Sequence, residues 1–299
     1  MNNKKLFLID AYTIIYRGYY ANIKKPFFTS KGLNTSSILY FTYLLIKTLN
    51  EDKPSYMSVV FDTYQQTFRK KEYNQYKNNR KKTPKEILIG IPYIKEILKS
   101  FNIYFLDAKH GYEADDFIGT IAKQAEKKGY IVYIVSLDKD FCQLVTNNIK
   151  IYRIPFKGQP KTILGVNEVL DKFGIKNTKQ VIDLLGMMGD SSDNIPGLPG
   201  IGEKHAKKFI KQYDNIENFF TSINDLPPGK MKKNLELNKQ LGFLSKKLAT
   251  IVTDIPYIYF KEENFYVPKP NWDAIKKIFL FLEFKKLLKY AYQYFINKK

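Results

Sequence analysis

Gly111-Tyr112-Glu113-Ala114-Asp115-Asp116 and, further along, Asp138-Lys139-Asp140 are two acidic clusters at the ends of one short unit. Between them Phe117, Ile118, Ile121, Ala122 and Ala125 recur with helical spacing, Lys127-Lys128-Gly129 marks a turn, and Tyr130 to Val135 is an apolar run. The unit reads as helix, turn and buried strand, the first cluster opening the helix and the second closing the strand. In an open α/β sheet the carboxyl ends of the strands line the ligand crevice. Both clusters face that crevice if the first sits beside the strand ends. Carboxylates crowded together raise one another's pKa unless a cation neutralises them. Hard divalent ions with oxygen ligands meet that need, and magnesium suits a site that keeps waters. Acids in a helix's first turn also serve as ordinary caps, so the rest of the chain has to decide.

Two more apolar runs end the same way. Leu6 to Ile9 stops at Asp10 and Met57 to Phe61 stops at Asp62, just as Ile131 to Val135 runs on to Asp138. With helices between them, such strands predict an α/β fold with a mostly parallel central sheet. Ile103 to Leu106 and Ile149 to Ile154 add two strands, and Asn34 to Asn50 reads as an amphipathic core helix. Tyr16-Arg17 follows Asp10 and is a candidate contact to phosphate or base. Phe68 to Lys85 carries eight basic residues, one acid and two tyrosines, a pattern that fits a single-strand groove. Its few apolar residues predict a stretch poorly ordered without a partner. Pro84 then opens a helix through Ile94, Ile97 and Leu98, with Pro92 a candidate kink.

The Gly/Pro-containing region Phe156 to Thr162 marks the expected border, dividing the chain into an α/β core over 1–164 and a helical subdomain over 165–299. Val166 to Phe173 and Thr178 to Met188 read as helices. Leu198-Pro199-Gly200-Ile201-Gly202-Glu203-Lys204, followed by Ala206, Phe209 and Ile210, is a helix-hairpin-helix signature. Its glycines let backbone N–H groups at a helix start approach a DNA phosphate, while Lys204 supplies charge without reading sequence. Asp190 and Asp193 stand just ahead of it. Lys230 to Ile251 and Trp272 to Phe295 read as further helices, and Tyr257 to Pro270 as a bridge wrapping back over the first core.

The totals agree. A chain of 299 residues, 44% hydrophobic, holds one large domain or two modest ones. A formal net charge of +20 points to a polyanionic partner such as nucleic acid, although the excess is nearly all lysine. The single cysteine, Cys142, excludes an internal disulfide and fits a reducing compartment. Two histidines, His110 and His205, argue against a zinc site. The apolar run after Met1 is too short for a signal peptide, and the helix near Ile38 to Leu49 is too short and polar to span a membrane. A soluble, cytoplasmic protein that does not engage a membrane is expected.

Together, Asp10, Tyr16-Arg17, Asp62, Phe68-Arg69, Tyr76-Lys77 with Arg80, Glu113 with Asp115 and Asp116, Asp138 with Asp140, and Asp190 with Asp193 resemble the 5′-nuclease domain of bacterial DNA polymerase I, of the flap endonuclease family. The likeness covers about Lys5 to Leu288. It implies a PIN-like 5′-nuclease fold with a C-terminal helix-hairpin-helix subdomain, and a structure-specific 5′→3′ exonuclease and 5′-flap endonuclease. Its substrates would be flapped or nicked DNA and RNA–DNA primer junctions. The resemblance assigns Asp10, Asp62, Glu113 and Asp115 to one metal site, supported by Asp116, and Asp138, Asp140, Asp193 and Asp190 to the other. The ions would be two Mg2+, or Mn2+. It assigns Lys77 and Arg80 to the scissile phosphate, and Tyr76 to stacking on the terminal base. Tyr16, Arg17, Phe68, Arg69, Gly200, Gly202 and Lys204 would contact DNA, with K+ at the hairpin. A monomer is expected, with a separate DNA polymerase as a candidate partner. The end at Lys299, where a polymerase would continue, suggests a stand-alone nuclease. Cys142, where a larger aromatic is common, is expected to be silent. Two rival readings are a non-catalytic junction binder, disfavoured because unneutralised carboxylates weaken binding to phosphate, and a metal-dependent ribonuclease, disfavoured by the hairpin.

Overall fold

A computed structural model describes residues 4–63, 65–154 and 160–297. Six strands form one sheet: β1 (Lys5–Asp10), β2 (Tyr56–Phe61), β3 (Tyr104–Asp107), β4 (Ile131–Val135), β5 (Ile149–Arg153) and β6 (Thr162–Leu164), in the order β3-β2-β1-β4-β5-β6. The first five pair in parallel. β6, which the sequence patterns did not reveal, pairs antiparallel with β5 at the edge. Residues 155–159, the first part of the expected border, lie outside the described residues.

Alternation along the strands builds two apolar layers. Leu6 and Leu8 join Val132, Ile134, Ile149 and Ile151 on one face, while Phe7 and Ile9 join Met57, Val59 and Phe61 on the other. The strands are linked by α1 (Ala11–Ala21), α2 (Ser36–Glu51), α3 (Phe68–Glu72), α4 (Lys85–Ser100) and α5 (Ala114–Lys127). α4 runs as one helix with Pro92 inside it. α5 packs Phe117, Ile118 and Ile121 onto the first face; α1, α2 and α4 cover the second. Burying both faces is what lets a parallel sheet of nearly continuous apolar strands form.

The helical part follows as α6 (Val166–Phe173), α7 (Gln180–Met188), α8 (Glu203–Tyr213), α9 (Ile216–Thr221), α10 (Lys230–Leu237), α11 (Lys239–Ala249), α12 (Glu262–Phe265), α13 (Trp272–Phe281) and α14 (Lys285–Asn297). Val181, Leu184, Phe209 and Phe219 belong to the same buried cluster as Leu6 and Val132, so this part shares its core with one face of the sheet. Two helices expected to be continuous are broken. Asn238 interrupts the first, its amide donating to the Asn234 carbonyl at 2.8 Å, the local competition typical of Asn. Glu283 interrupts the second at φ 60°, where its carboxylate accepts the Ser30 N–H at 3.0 Å. The bridge over 257–270 lies at the amino ends of the strands: Phe260 packs on Tyr130 (centroids 4.9 Å apart), and the Val267 N–H donates to the Ser55 carbonyl at 2.9 Å. The opposite, carboxyl end is left for the acids. Among the described residues no helix is long and apolar enough to cross a membrane.

Candidate metal centre and nucleic-acid interface

The strand order reverses between β1 and β4, the place where open α/β sheets form a crevice. Asp10 ends β1 and caps α1, accepting the Thr13 N–H at 3.4 Å, the Thr13 hydroxyl, and the Ser136 hydroxyl at 2.9 Å from beyond β4. Asp62 follows β2 and accepts the N–H groups of Thr63 (2.8 Å) and Ala114 (3.2 Å), tying β2 to the start of α5. Glu113 is the N-cap of α5, with Asp115 and Asp116 in its first turn. Asp138 accepts the Asp140 N–H at 3.0 Å. Asp190 and Asp193 arrive on a loop whose ends are paired, Asp190 N–H to the Ile195 carbonyl at 2.9 Å and the reverse at 2.8 Å. That loop needs glycine at its exit: Gly197 sits at φ +66° with its Cα against the Gly189 backbone, where a Cβ would collide.

The charges of these acids are felt together. Burial raises the Asp115 pKa well above the carboxylate range, and the Asp138 and Asp10 charges add to it. Asp10 is pushed up by burial against its hydroxyl donors, with Asp138 adding repulsion. Burial also raises Asp62 and Asp138. Asp140 is pushed up to about 8 by burial and then by the charges of Asp138, Asp190 and Asp193. Asp190 goes the other way: burial opposes ionisation, but the Lys139 ammonium at 2.7 Å and the Ser192 donors outweigh it.

Cations from the Phe68 to Lys85 stretch lean into this crevice. Lys77 Nζ lies 3.0 Å from Glu113 Oε1 and 3.6 Å from Asp193 Oδ2, and Arg80 pairs with Asp193. Burial lowers the Lys77 pKa, yet Glu113 and the neighbouring groups raise it well above the ordinary value, so it is firmly charged. The stretch has a defined path where looseness was expected. Polar tethers take the place of apolar anchors: the Lys77 N–H donates to the Asp193 carbonyl at 2.8 Å, and the Asn194 amide to the Gln75 carbonyl at 2.6 Å.

Three expected roles change. Arg69, expected at DNA, is 2% exposed. It donates to both Asp116 oxygens at 2.7 and 2.8 Å, to Glu113 at 3.3 Å, and to the carbonyls of Leu248 and Thr250 at 2.9 and 2.7 Å. Asp116 is fully buried, and both its oxygens are occupied by Arg69 and by the N–H groups of Glu113 and Val252. It supports the site as an ion-pair partner and offers no free oxygen to a metal. Tyr76 is 3% exposed and its hydroxyl lies 3.0 Å from Glu113 and 3.1 Å from Asp193, so its ring is enclosed in the core, not presented to a base. Phe68 is half-buried against Tyr112, with the Arg69 guanidinium 4.6 Å from its ring.

The other expected contacts lie at the surface or its edge. Tyr16 bonds Thr83 at 2.7 Å and stacks on Tyr20. Arg17 is half-buried, and burial lowers its pKa against the opposing charge of Tyr40. Gly200, Gly202 and Lys204 are exposed around the start of α8; Gly200 adopts φ +81° with open space where a Cβ would stand, an open approach for a phosphate. Sequence reasoning missed Thr13 and Ser136, which hold Asp10, and Lys139, which holds Asp190. The Asp-x-x-Thr spacing of an N-cap carried the first signal; the other two carried none.

Among the described residues, no group of three His, Cys, Asp or Glu side chains stands ready to hold an ion. The donor set nevertheless fits one. All the candidate donors are carboxylates, their mutual repulsion is incompletely offset, and Asp140 Oδ1 is buried with no hydrogen-bond partner. Such a set suits hard divalent cations.

Comparisons with known proteins agree with this geometry. Residues 5–174 match the model of the 5′-3′ exonuclease N-terminal resolvase-like domain, and 176–273 that of its C-terminal SAM fold. DNA polymerase I of Bacillus subtilis is 42% identical over 255 residues, 85% of this chain but only 28% of that protein. The chain thus spans less than a third of that relative's length. A 5′-3′ exonuclease of Aquifex aeolicus is 36% identical over 289 residues, 96% of this chain and 94% of the relative. Among solved structures, the T5 D15 protein co-crystallised with metal ions superposes with a TM-score of 0.67 at 22% identity, covering 96% of this chain and 99% of that one. The catalytic core of Rad2 in complex with DNA substrate gives 0.61 at 19%, covering 94% and 87%. These last two are likenesses of fold. The shared fold and the two family matches, which together span most of the sequence, show that the chain belongs to the 5′-3′ exonuclease family.

Proposed function

We propose that this chain is a structure-specific 5′ nuclease, trimming 5′ ends and cutting 5′ flaps in primer removal and repair, with two magnesium ions held by the crevice acids. The observation that carries the reading is the meeting of Asp10, Asp62, Glu113, Asp115, Asp138, Asp140, Asp190 and Asp193, from five separate segments, at the carboxyl end of one sheet. Asp10, Asp62, Glu113 and Asp115 would hold one ion; Asp138, Asp140, Asp190 and Asp193 the other. Bound there, the ions would supply an activated water and neutralise the departing 3′-oxygen.

The protein's own groups do the rest. Lys77 and Arg80 now neutralise Glu113 and Asp193; when a phosphodiester enters, both are placed to turn to its non-bridging oxygens, where charge grows in the transition state. The Tyr76 hydroxyl, between Glu113 and Asp193, orients whichever carboxylate it donates to. Thr13 and Ser136 fix Asp10. The exposed hairpin around Gly200 and Gly202 would grip the duplex by its backbone, so a free 5′ end and duplex shape would set specificity in place of base edges.

The test is an end-labelled 5′-flap duplex with and without magnesium, using the wild type, Asp115→Asn and Asp138→Asn. Cleavage should need the metal and vanish in both variants, while flap binding persists. Near wild-type turnover in either variant would overturn the ligand assignment.

A further inference from the structure

Two basic side chains beside the crevice have no counter-ion among the described residues. Arg153 ends β5, the strand next to β4, and so reaches the same carboxyl edge as Asp138. Its Nε is buried with no hydrogen-bond partner. Lys172 lies in the last turn of α6, exposed, with Nζ 5.0 Å from the Phe173 ring. Neither belongs to an ion pair among the described residues, whereas their basic neighbours do: Lys139 pairs with Asp190 at 2.7 Å, and Lys207 with Glu203 at 2.8 Å.

The placement is directional. Lys207, on the hairpin helix α8, lays its aliphatic stem over Gly174, where a Cβ would meet Cδ at 3.7 Å. Gly174 is two residues beyond Lys172. Lys172 in turn lies within charge–charge range of Arg153 and Lys139. Partial desolvation and these like charges hold its pKa below the usual lysine value, against the opposing pull of Cys142 and Asp138. The basic groups thus run from the hairpin, past Lys172, to Arg153 and the acids. Asp138 lies within range of Lys172, but neither Lys172 nor Arg153 is held in an ion pair among the described residues, so both are free to turn to an anion that enters beside the acids.

We propose that Arg153 and Lys172 form a binding site for a phosphodiester of the duplex, between the hairpin's grip and the phosphate to be cut. A bidentate guanidinium and a point-charge ammonium together suit one backbone phosphate or two adjacent ones. Holding the strand at this point fixes the number of nucleotides between the duplex anchor and the metal centre. The inference rests on the reading above that duplex DNA is bound.

The test uses the full chain and a 5′-flap duplex in calcium, with fluorescence anisotropy read from about 50 to 300 mM salt, a range over which counterion release is resolved. Arg153→Gln, Lys172→Gln and the double variant are compared with the wild type. Each lost contact should lower the slope of log K against log salt by about 1 and weaken binding about eightfold at 0.1 M salt. Arg153→Lys and Lys172→Arg should keep the slope, and manganese affinity without DNA should be unchanged. In magnesium the double variant should also scatter the cut over neighbouring positions. If the wild type fails to bind duplex, the reading of duplex binding falls. If it binds and the Gln variants keep its slope, this site is refuted. A gain in manganese affinity with the DNA slope unchanged would show that the two cations serve only to balance the acids, and would refute it too. Circular dichroism, with the charge-conserving variants, separates misfolding from lost contact.

Discussion

Arg69→Met is the sharpest test of how this site is built. The substitution keeps the length of the side chain and removes a guanidinium that satisfies five acceptor contacts in the interior. Asp116 would retain the N–H groups of Glu113 and Val252 at 3.0 and 2.8 Å, but its charge would be buried without a counter-ion. Breaking a buried pair from one side costs about 3–5 kcal/mol. The carbonyls of Leu248 and Thr250 lose donors at about 1 kcal/mol each, partly offset where water enters. A net loss of about 4 kcal/mol, at a urea slope of about 3 kcal/mol/M, moves the midpoint down by about 1.3 M. Equilibrium urea unfolding followed by circular dichroism measures it. The partner experiment is Arg69→Met with Asp116→Leu, where an apolar pair of similar volume should recover most of the loss. If Arg69→Met unfolds at the wild-type midpoint while binding flap DNA more weakly, then Arg69 serves as a DNA contact and the buried clamp is wrong.

Three further outcomes are expected. Lys77→Met removes the ammonium that now competes for Glu113 and Asp193, so manganese should bind the DNA-free variant about tenfold more tightly by calorimetry, a modest share of the ~4 kcal/mol of a close pair, while cleavage falls; weaker binding would mean that Lys77 organises the acids instead of competing for them. The metal-free protein should lose stability as pH rises. Asp10, Asp115 and Asp138 are raised and Asp140 stands at about 8, so the folded chain holds protons the unfolded chain has released. Their contribution is complete below about pH 4 and lost as pH climbs to about 8, with Asp190 opposing; thermal melts in chelator should show the decline and saturating magnesium should remove it, whereas a rise in the chelated melts would contradict the crowding. Gly197→Ala, at φ +66° against the Gly189 backbone, should cost about 3 kcal/mol or more and displace the Asp190–Asp193 loop, measurable as lost stability together with weakened metal binding; an unchanged melt would disprove the close approach.

The periodicities of Leu6 to Ile9, Met57 to Phe61 and Tyr130 to Val135 announced parallel strands, and each ended at an acid because the strand ends at a crevice. Local chemistry of this kind is written in consecutive residues: alternation, caps, glycines and the hairpin signature are short-range and survive reading in one dimension. What the chain could not disclose is pairing across long separations. Arg69 looked like one more cation in a basic run; only the fold brings Asp116 and the end of α11 around it and turns it into a buried clamp. Tyr76 looked like a stacking platform, and the meeting of Glu113 with Asp193 encloses it. Whether a charged side chain faces solvent, substrate or a buried partner depends on which distant segment covers it. That is settled by the packing of α5, α11 and the Asp190–Asp193 loop around one end of the sheet, where the balance between desolvation and pairing exists only once the chain has closed on itself.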